Sequence, residues 1–225
     1  MKLNSFLIIL CLLLVSLFQP LLGQENISAK QQFSEWLAKA EKGDAEAQFT
    51  VGYFYAVGQG VAKNETEAVN WYRKAADQNL ASAEFNLGFC FDKGQGVPQN
   101  MTEAVKWYRK AADQNLAAAQ FNLGNCYKHG KGVAQSEVET VKWYLKAANQ
   151  NCADAQLNLG LCYIRGQGVA ADDTEAYKWF LLSSAQGQEQ AKIAVAKWEA
   201  GSTQKEITEG KKRANDWIKS HTITQ

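Results

Sequence analysis

The sequence predicts an all-α fold, a solenoid of helical hairpins built from four tandem repeats of 36 residues. Three observations predict it: a short pattern recurs at a fixed spacing, each copy carries the apolar spacing of two helices, and the composition favours helix. Only two of the 225 residues are proline, so little in the chain interrupts a helix. The recurring pattern begins, each time 36 residues after the last, at Ala47, Ala83, Ala119 and Ala155.

The first helix of each repeat is predicted from apolar residues spaced four apart, as at Ala47, Val51 and Tyr55. A glycine, Gly52 in the first copy, lies beside this stripe in every repeat. Since glycine inside a helix costs about 1 kcal/mol relative to alanine, we expect the paired helix to approach these glycines closely. Gly58 is expected to end the helix in the left-handed conformation. The equivalents of Gly52 are Gly88, Gly124 and Gly160.

The second helix of each repeat is predicted from a capping residue followed three positions later by glutamate, as at Asn64 and Glu67. This pattern predicts a capping box, in which the cap accepts from a free backbone amide and the glutamate reaches back to the amide of the cap. The tryptophan that follows is interpreted as core packing rather than as a ligand cage. These tryptophans are Trp71, Trp107, Trp143 and Trp179.

The ends of the repeat array are expected to be atypical, because a terminal hairpin has a neighbour on one side only. Phe33–Glu41 is predicted to be a lone second helix that closes the N-terminal side. At the other end, Gln190–Ala200 resembles a fifth first helix, and Lys205–Lys219 is predicted to be a final amphipathic helix. The residues of that final helix expected to pack inward are Ile207, Trp217 and Ile218.

The N-terminus has the pattern of a secretory signal. Lys2 is followed by an apolar run over Phe6–Phe18 and by a small residue, Gly23, at the predicted cleavage point. The run is shorter than the roughly 20 apolar residues of a membrane-spanning helix. We therefore expect an exported protein, periplasmic or secreted, with a retained N-terminal membrane anchor as the alternative.

The repeated motif resembles that of the Sel1-like repeat family, a relative of the tetratricopeptide repeat. In the second repeat the matching residues are Ala83, Leu87-Gly88, Phe91, Gly94-Gln95-Gly96-Val97, Asn100, Ala104, Trp107-Tyr108 and Ala111-Ala112. The resemblance implies a right-handed α-α superhelix and a scaffold or adaptor role without a cofactor. The chain is accordingly divided into a signal peptide (1–23), an N-terminal capping helix (24–44), four repeats (45–80, 81–116, 117–152, 153–188) and C-terminal capping helices (189–225).

The charged and reactive residues give little indication of chemistry. A formal net charge of +1 argues against nucleic acid and against anionic membrane surfaces as partners. Cys90, Cys126 and Cys162 share one repeat position, about 10 Å apart in stacked helices and too distant for a disulfide. They are interpreted as buried apolar residues, while a bridge between Cys152 and Cys126 is left open. His129 is interpreted as an exposed turn residue, and no His/Cys spacing suits zinc or another metal.

The predicted binding surface is the concave face of the solenoid, which the first helices line. Two positions on this face recur three residues apart, so their side chains lie together. We predict that the asparagines bind an extended peptide backbone and that the apolar positions form pockets; the alternative is that the asparagines only bond neighbouring helix ends or turns. The predicted site residues are Thr50, Tyr53, Asn86, Phe89, Asn122, Asn125, Asn158 and Leu161.

The function expected from this surface is a non-catalytic scaffold that binds a protein or peptide partner, as an elongated monomer. The alternative comes from the resemblance: a cysteine-rich branch of exported Sel1-like proteins is described as penicillin-binding or weakly β-lactam-hydrolysing, which suggests an enzyme acting on β-lactam or cell-wall substrates. The paired cysteines eight positions apart that mark that branch are absent from this sequence.

Overall fold

The computed structural model describes residues 28–222, which form eleven helices and no strands. The predicted signal segment 1–23 lies outside the described residues. Within 28–222, no helix is both long and apolar enough to cross a membrane. The helices are α1 (28–41), α2 (Ala45–Val57), α3 (Glu65–Ala76), α4 (Ala81–Lys93), α5 (Met101–Asp113), α6 (Ala117–His129), α7 (Glu137–Asn149), α8 (Ala153–Arg165), α9 (Asp173–Ala185), α10 (Glu189–Gly201) and α11 (Gln204–Thr222).

These helices confirm the predicted all-α class of repeated helical hairpins. In each repeat the first helix (α2, α4, α6, α8) is followed by a second helix (α3, α5, α7, α9). The chain divides into two compact units. The first unit ends at Ala83 and includes Gln95–Val97; the second comprises Glu84–Gly94 and the chain from Pro98 onward.

The first unit has a core of small and aromatic residues between α1, α2 and α3. Ala40, Ala47 and Val51 are fully buried there against Trp71, with Phe33 packed beside them. The opposite face of α1 is polar, because exposed Gln32 and Lys39 stand at the repeat positions that buried alanines occupy in α3. This face suits a helix that ends an array.

The second unit confirms the predicted close approach at the helix glycines. A Cβ built on Gly124 would lie 2.6 Å from Cδ1 of Tyr144, and one on Gly88 would lie 2.8 Å from Cδ1 of Tyr108. A ring of the second helix therefore fills the space that a side chain on the first helix would need. The same contact joins Gly160 to Phe180 and, in the first unit, Gly52 to Tyr72.

The predicted capping residues all cap their helices, but the reciprocal half of the capping box was predicted wrongly. Ser136 Oγ accepts from the amide of Glu139 at 3.2 Å. The amide of Ser136, however, donates to the carbonyl oxygen of Tyr127 at 3.1 Å, so it is already satisfied by the preceding helix. Glu139 instead accepts from Trp143 Nε1 at 3.1 Å. Corresponding backbone bonds use the amides of Asn64, Asn100 and Asp172.

A reciprocal capping box does form at α11, although none was predicted there. Thr203 Oγ1 accepts from the amide of Glu206, and the Glu206 carboxylate accepts from the Thr203 amide at 2.8 Å. The difference from the repeats is that their cap amides are taken by a carbonyl of the preceding helix.

In each hairpin, side-chain hydrogen bonds join the start of the first helix to the end of the second helix. We call these bonds the amide ladder. In each repeat a side chain in the first turn of the first helix accepts from a glutamine 30 residues later, at the end of the second helix. Gln120 and Gln156 also donate to backbone carbonyls eight residues earlier, as Gln48 does in the first unit. The equivalent in the second repeat is Glu84, a carboxyl that is 1% exposed. The four pairs are Gln48–Gln78, Glu84–Gln114, Gln120–Gln150 and Gln156–Gln186.

The last helix packs against α9, partly through residues that were not predicted. The small residues Gly210 and Ala214 are buried, and Gly210 lies against the Tyr177 ring. Ile218, predicted to face inward, is 45% exposed. Trp217 does pack inward, edge to face against Trp179 at 6.1 Å between ring centroids.

The cysteines and tryptophans have structural surroundings. Cys126, Cys152 and Cys162 are free thiols, so the bridge between Cys152 and Cys126 that the sequence left open is not made. The four repeat tryptophans are at most 8% exposed, which confirms that they are packed in the core.

Candidate functional site

The predicted binding residues fall on the first helices. In the second unit these are Asn86 and Phe89 of α4, Asn122 and Asn125 of α6, and Asn158 and Leu161 of α8; we call these six residues the first-helix face. Phe89 is 38% exposed and the other five are half-buried. In the first unit, half-buried Thr50 and 47%-exposed Tyr53 occupy the same positions on α2.

Tyrosines of the second helices hold the two asparagines of α6. The Tyr144 hydroxyl donates to Asn125 Oδ1 at 2.5 Å. Asn122 hydrogen-bonds to the hydroxyl of Tyr108, which also donates to Asp92 at 3.3 Å. Burial raises the pKa of both tyrosines, so the hydroxyls stay protonated. These two asparagines therefore bond side chains of neighbouring second helices.

Asn158 is held differently. Its Nδ2 donates to the carbonyl oxygen of Asp154 at 2.8 Å, and its Oδ1 accepts from Lys128 Nζ at 3.0 Å. This second bond links α6 to α8 and places an ammonium group next to the face. Lys128 was not among the predicted residues, although its position at the end of α6, 30 residues before Asn158, could have indicated it.

Asn86 lies half-buried on α4, at the repeat position that Asn122 and Asn158 occupy on α6 and α8. Its neighbour Phe89 presents its ring to solvent, with Lys93 Nζ 5.7 Å from the ring centroid. In the first unit, Thr50 Oγ1 donates to the Glu46 carbonyl oxygen at 2.8 Å. The face thus combines amides that are held by hydrogen bonds with an exposed aromatic ring.

Reactive groups beside this face are held in unreactive forms. Burial, with Asp92 nearby, raises the pKa of the Cys126 thiol to about 11. Burial also raises the pKa of the Cys162 thiol. Both thiols are therefore protonated at neutral pH, and a thiol in that form is a poor nucleophile. His129, at the end of α6, is exposed as predicted. No three His, Cys, Asp or Glu side chains among residues 28–222 are arranged to hold a metal.

The Sel1 repeat family model matches residues 45–80, 81–116, 117–152 and 153–188. The chain belongs to the Sel1 repeat family. A Sel1 repeat protein from Oxalobacter formigenes is 35% identical, with a TM-score of 0.73 over 87% of this chain and 77% of that one. The antigen c5321 of uropathogenic Escherichia coli, which displays the same fold, is 30% identical with a TM-score of 0.57, over 85% of this chain and 49% of the antigen.

A further relative is the secretory immunoglobulin A-binding protein EsiB of Escherichia coli. It is 42% identical over 62 residues, which are 28% of this chain and 11% of that protein. The chain therefore matches only about a tenth of the length of this relative. Sel1 repeats typically mediate protein–protein interactions.

Proposed function

We propose that this protein is an exported, non-catalytic scaffold that binds a protein or peptide partner on its first helices. The observation that carries the proposal is that the two helices of a repeat have different roles. The second helices contribute the buried Trp and Tyr residues of the core, whereas Phe89 on a first helix presents its ring to solvent.

The chemistry of the face favours a polypeptide partner. An extended backbone offers both donors and acceptors, which carboxamides such as Asn86 match, while an aromatic ring such as Phe89 takes an apolar side chain. EsiB is named for binding secretory immunoglobulin A, a protein, and this is the class of partner proposed here. The signal pattern at Lys2 and Phe6–Phe18 supports export.

Site-specific photocrosslinking tests the face directly. A photoreactive phenylalanine analogue is placed at position 89 or 161 of the full chain, which is then exposed to the envelope fraction of its source cells. The matched control is position 145, because Leu145 on second helix α7 is 36% exposed and Phe89 is 38% exposed. We expect one crosslinked protein from 89 and 161 that does not form from 145. The same adduct from all three positions would contradict the proposal.

Two asparagine variants separate binding from stability. Asn122→Ala removes a bond to a buried tyrosine and should lower the free energy of unfolding by about 1 kcal/mol. Asn86→Ala, at the equivalent position of α4, should weaken the crosslink at position 89, and its melting temperature shows whether that loss exceeds any loss of stability. If Asn86→Ala leaves the crosslink yield unchanged, the asparagines do not bind the partner.

Export is tested by the N-terminus of the purified protein. Mass spectrometry should find a chain that begins at Gln24 in the soluble envelope fraction. An intact N-terminus that stays with the membrane would instead support the anchored alternative.

A further inference from the structure

The second unit contains a groove outside the first-helix face, between the ends of α7 and α9 and the last turns of α11. Its volume is about 780 Å³, within the range of about 300–1,000 Å³ that ligand sites occupy. We call it the amide groove, because half of its lining side chains are carboxamides. Its principal lining residues are Asn149, Gln150, Asn151, Leu182, Gln186 and Trp217.

The amide ladder fixes which atoms the glutamines present. Gln150 Nε2 donates to Gln120 Oε1 at 2.7 Å, and Gln186 Nε2 donates to Gln156 Oε1 at 2.8 Å. Both nitrogens are engaged inside the protein, so the carbonyl oxygens of Gln150 and Gln186 remain as acceptors for a ligand. The two glutamines occupy successive rungs, about 10 Å apart, as expected for neighbouring packed helices.

The asparagines of the groove present hydrogen-bond donors, whereas the glutamines present acceptors. Asn151 Oδ1 accepts from Gln156 Nε2 at 3.2 Å, and Asn115 Oδ1 accepts from Gln150 Nε2 at 3.2 Å. Asn149 Oδ1 accepts from Trp217 Nε1 at 3.3 Å. Because these oxygens are engaged, the side-chain nitrogens of the three asparagines are the donors that remain. The groove therefore holds acceptors and donors in fixed orientations.

Aromatic rings line the groove beside the amides, where Trp217 donates to Asn149. The rings of Trp217 and His221 are stacked, with centroids 4.0 Å apart and planes at 17°. Leu182, only 4% exposed, and Ala185 add apolar surface to the lining. A ligand in this groove thus meets both hydrogen-bonding groups and apolar surface.

The lining offers few groups that could pair with a charge. No Asp, Glu, Lys or Arg is among the described residues that line the groove, and His221 is the titratable side chain among them, so a charged group entering the groove would lose hydration with no carboxylate, ammonium or guanidinium group to pair with. Each hydroxyl of a sugar both donates and accepts, so it fits either kind of fixed amide atom, and the C–H face of a pyranose ring matches an aromatic wall. A peptide backbone also matches fixed amide donors and acceptors, so the feature that favours a sugar in this groove is its apolar ring face.

We infer that the amide groove binds a neutral oligosaccharide. Recognition uses the Gln150 and Gln186 oxygens and the asparagine nitrogens for sugar hydroxyls, and the Trp217–His221 stack for an apolar sugar face. This site is separate from the first-helix face, so the protein could hold a polypeptide and a glycan at the same time.

The test is a titration of the ¹⁵N-labelled full chain followed by NMR. The probes are maltotriose, N,N′,N″-triacetylchitotriose and, as the peptide arm, an acetylated and amidated tetra-alanine. The reporters are the indole N–H of Trp217 and the side-chain amides of Asn149 and Gln186. Ala185→Lys places a long cation in the groove, and Ala200→Lys is the matched control on exposed surface near the end of α10.

We expect at least one trisaccharide to shift these reporters saturably. Ala185→Lys should weaken that binding about tenfold or more, and Ala200→Lys should not change it. The inference is overturned if neither trisaccharide shifts the reporters, if only the peptide does, or if binding survives Ala185→Lys in a variant whose melting temperature matches that of the control.

Discussion

Replacing Gly124 by alanine should destabilise the protein, although alanine is the better helix former. The new Cβ would lie 2.6 Å from Cδ1 and 2.7 Å from Cε1 of Tyr144, whereas carbon atoms in contact prefer about 3.5–4.0 Å. The ring has little room to yield, because Tyr144 is 0% exposed and its hydroxyl is bonded to Asn125. Either the ring or the helix must therefore move by about 1 Å.

The expected loss follows from three opposing effects. Helix propensity favours alanine by about 1 kcal/mol. Overpacking a well-packed core costs about 1–3 kcal/mol, and a displaced Tyr144 loses a hydrogen bond of about 1 kcal/mol. The net loss is about 1–3 kcal/mol, which lowers the melting temperature of a chain of this size by about 2–12 °C.

Thermal unfolding followed by far-UV circular dichroism measures this loss, and Gly201→Ala is the control. A Cβ on Gly201, the last residue of α10, would meet nothing within 4 Å, so the same added methyl should leave the melting temperature unchanged or raise it. Adding Tyr144→Leu to Gly124→Ala should recover part of the loss, because the smaller side chain vacates the ring position. A Gly124→Ala variant that melts at or above the wild-type temperature would refute the close-packing argument.

Two further predictions concern polar groups. Burial raises the pKa of Glu84, so the folded chain holds this proton more tightly than the unfolded chain, and stability falls as the pH rises through the raised pKa. Glu84→Gln should therefore raise the melting temperature at pH 7, with a gain that shrinks towards pH 4; an equal gain at both pH values would contradict this assignment. Asn100→Ala should cost about 1 kcal/mol in thermal unfolding, while Glu103→Ala should cost clearly less, because the Asn100 amide is bonded to the carbonyl oxygen of Phe91. Equal losses in the two variants would show that the glutamate does complete a capping box.

The sequence predicted the features that the repeat itself determines. Glycine at Gly124 and a capping residue at Ser136 are required by contacts inside one hairpin, and both recur at every 36-residue step. The reciprocal capping bond could not be predicted in the same way. It depends on whether a carbonyl of the preceding helix, such as that of Tyr127, reaches the cap amide, and this is a property of the folded hairpin.

The C-terminal packing was less predictable because the repeat pattern ends there. Tyr177 stands where the earlier second helices have valine, and its ring stacks on Trp198 with centroids 4.1 Å apart. Gly210 of α11 packs against the same ring. Apolar side chains in α11, such as Ile218, suggested the inward face, but the bulk of Tyr177 leaves room only for small residues beside it.

The first-helix face shows how a repeat protein can vary its surface without losing its core. At one position of this face α6 has Asn125, which bonds the hydroxyl of Tyr144; at the same position α8 has Leu161, and the matching ring is Phe180, which has no hydroxyl. The amide and the hydroxyl are therefore both present in one repeat and both absent in the other, so neither repeat leaves a buried hydroxyl without a partner. An unpartnered buried hydroxyl would cost about 1–3 kcal/mol. Both rings still pack on the glycine of the first helix, so the hairpin is unchanged. A Leu161→Asn variant should therefore fold with little loss and gain an amide that no tyrosine holds, whereas Tyr144→Phe should leave Asn125 unengaged and change partner binding more than stability.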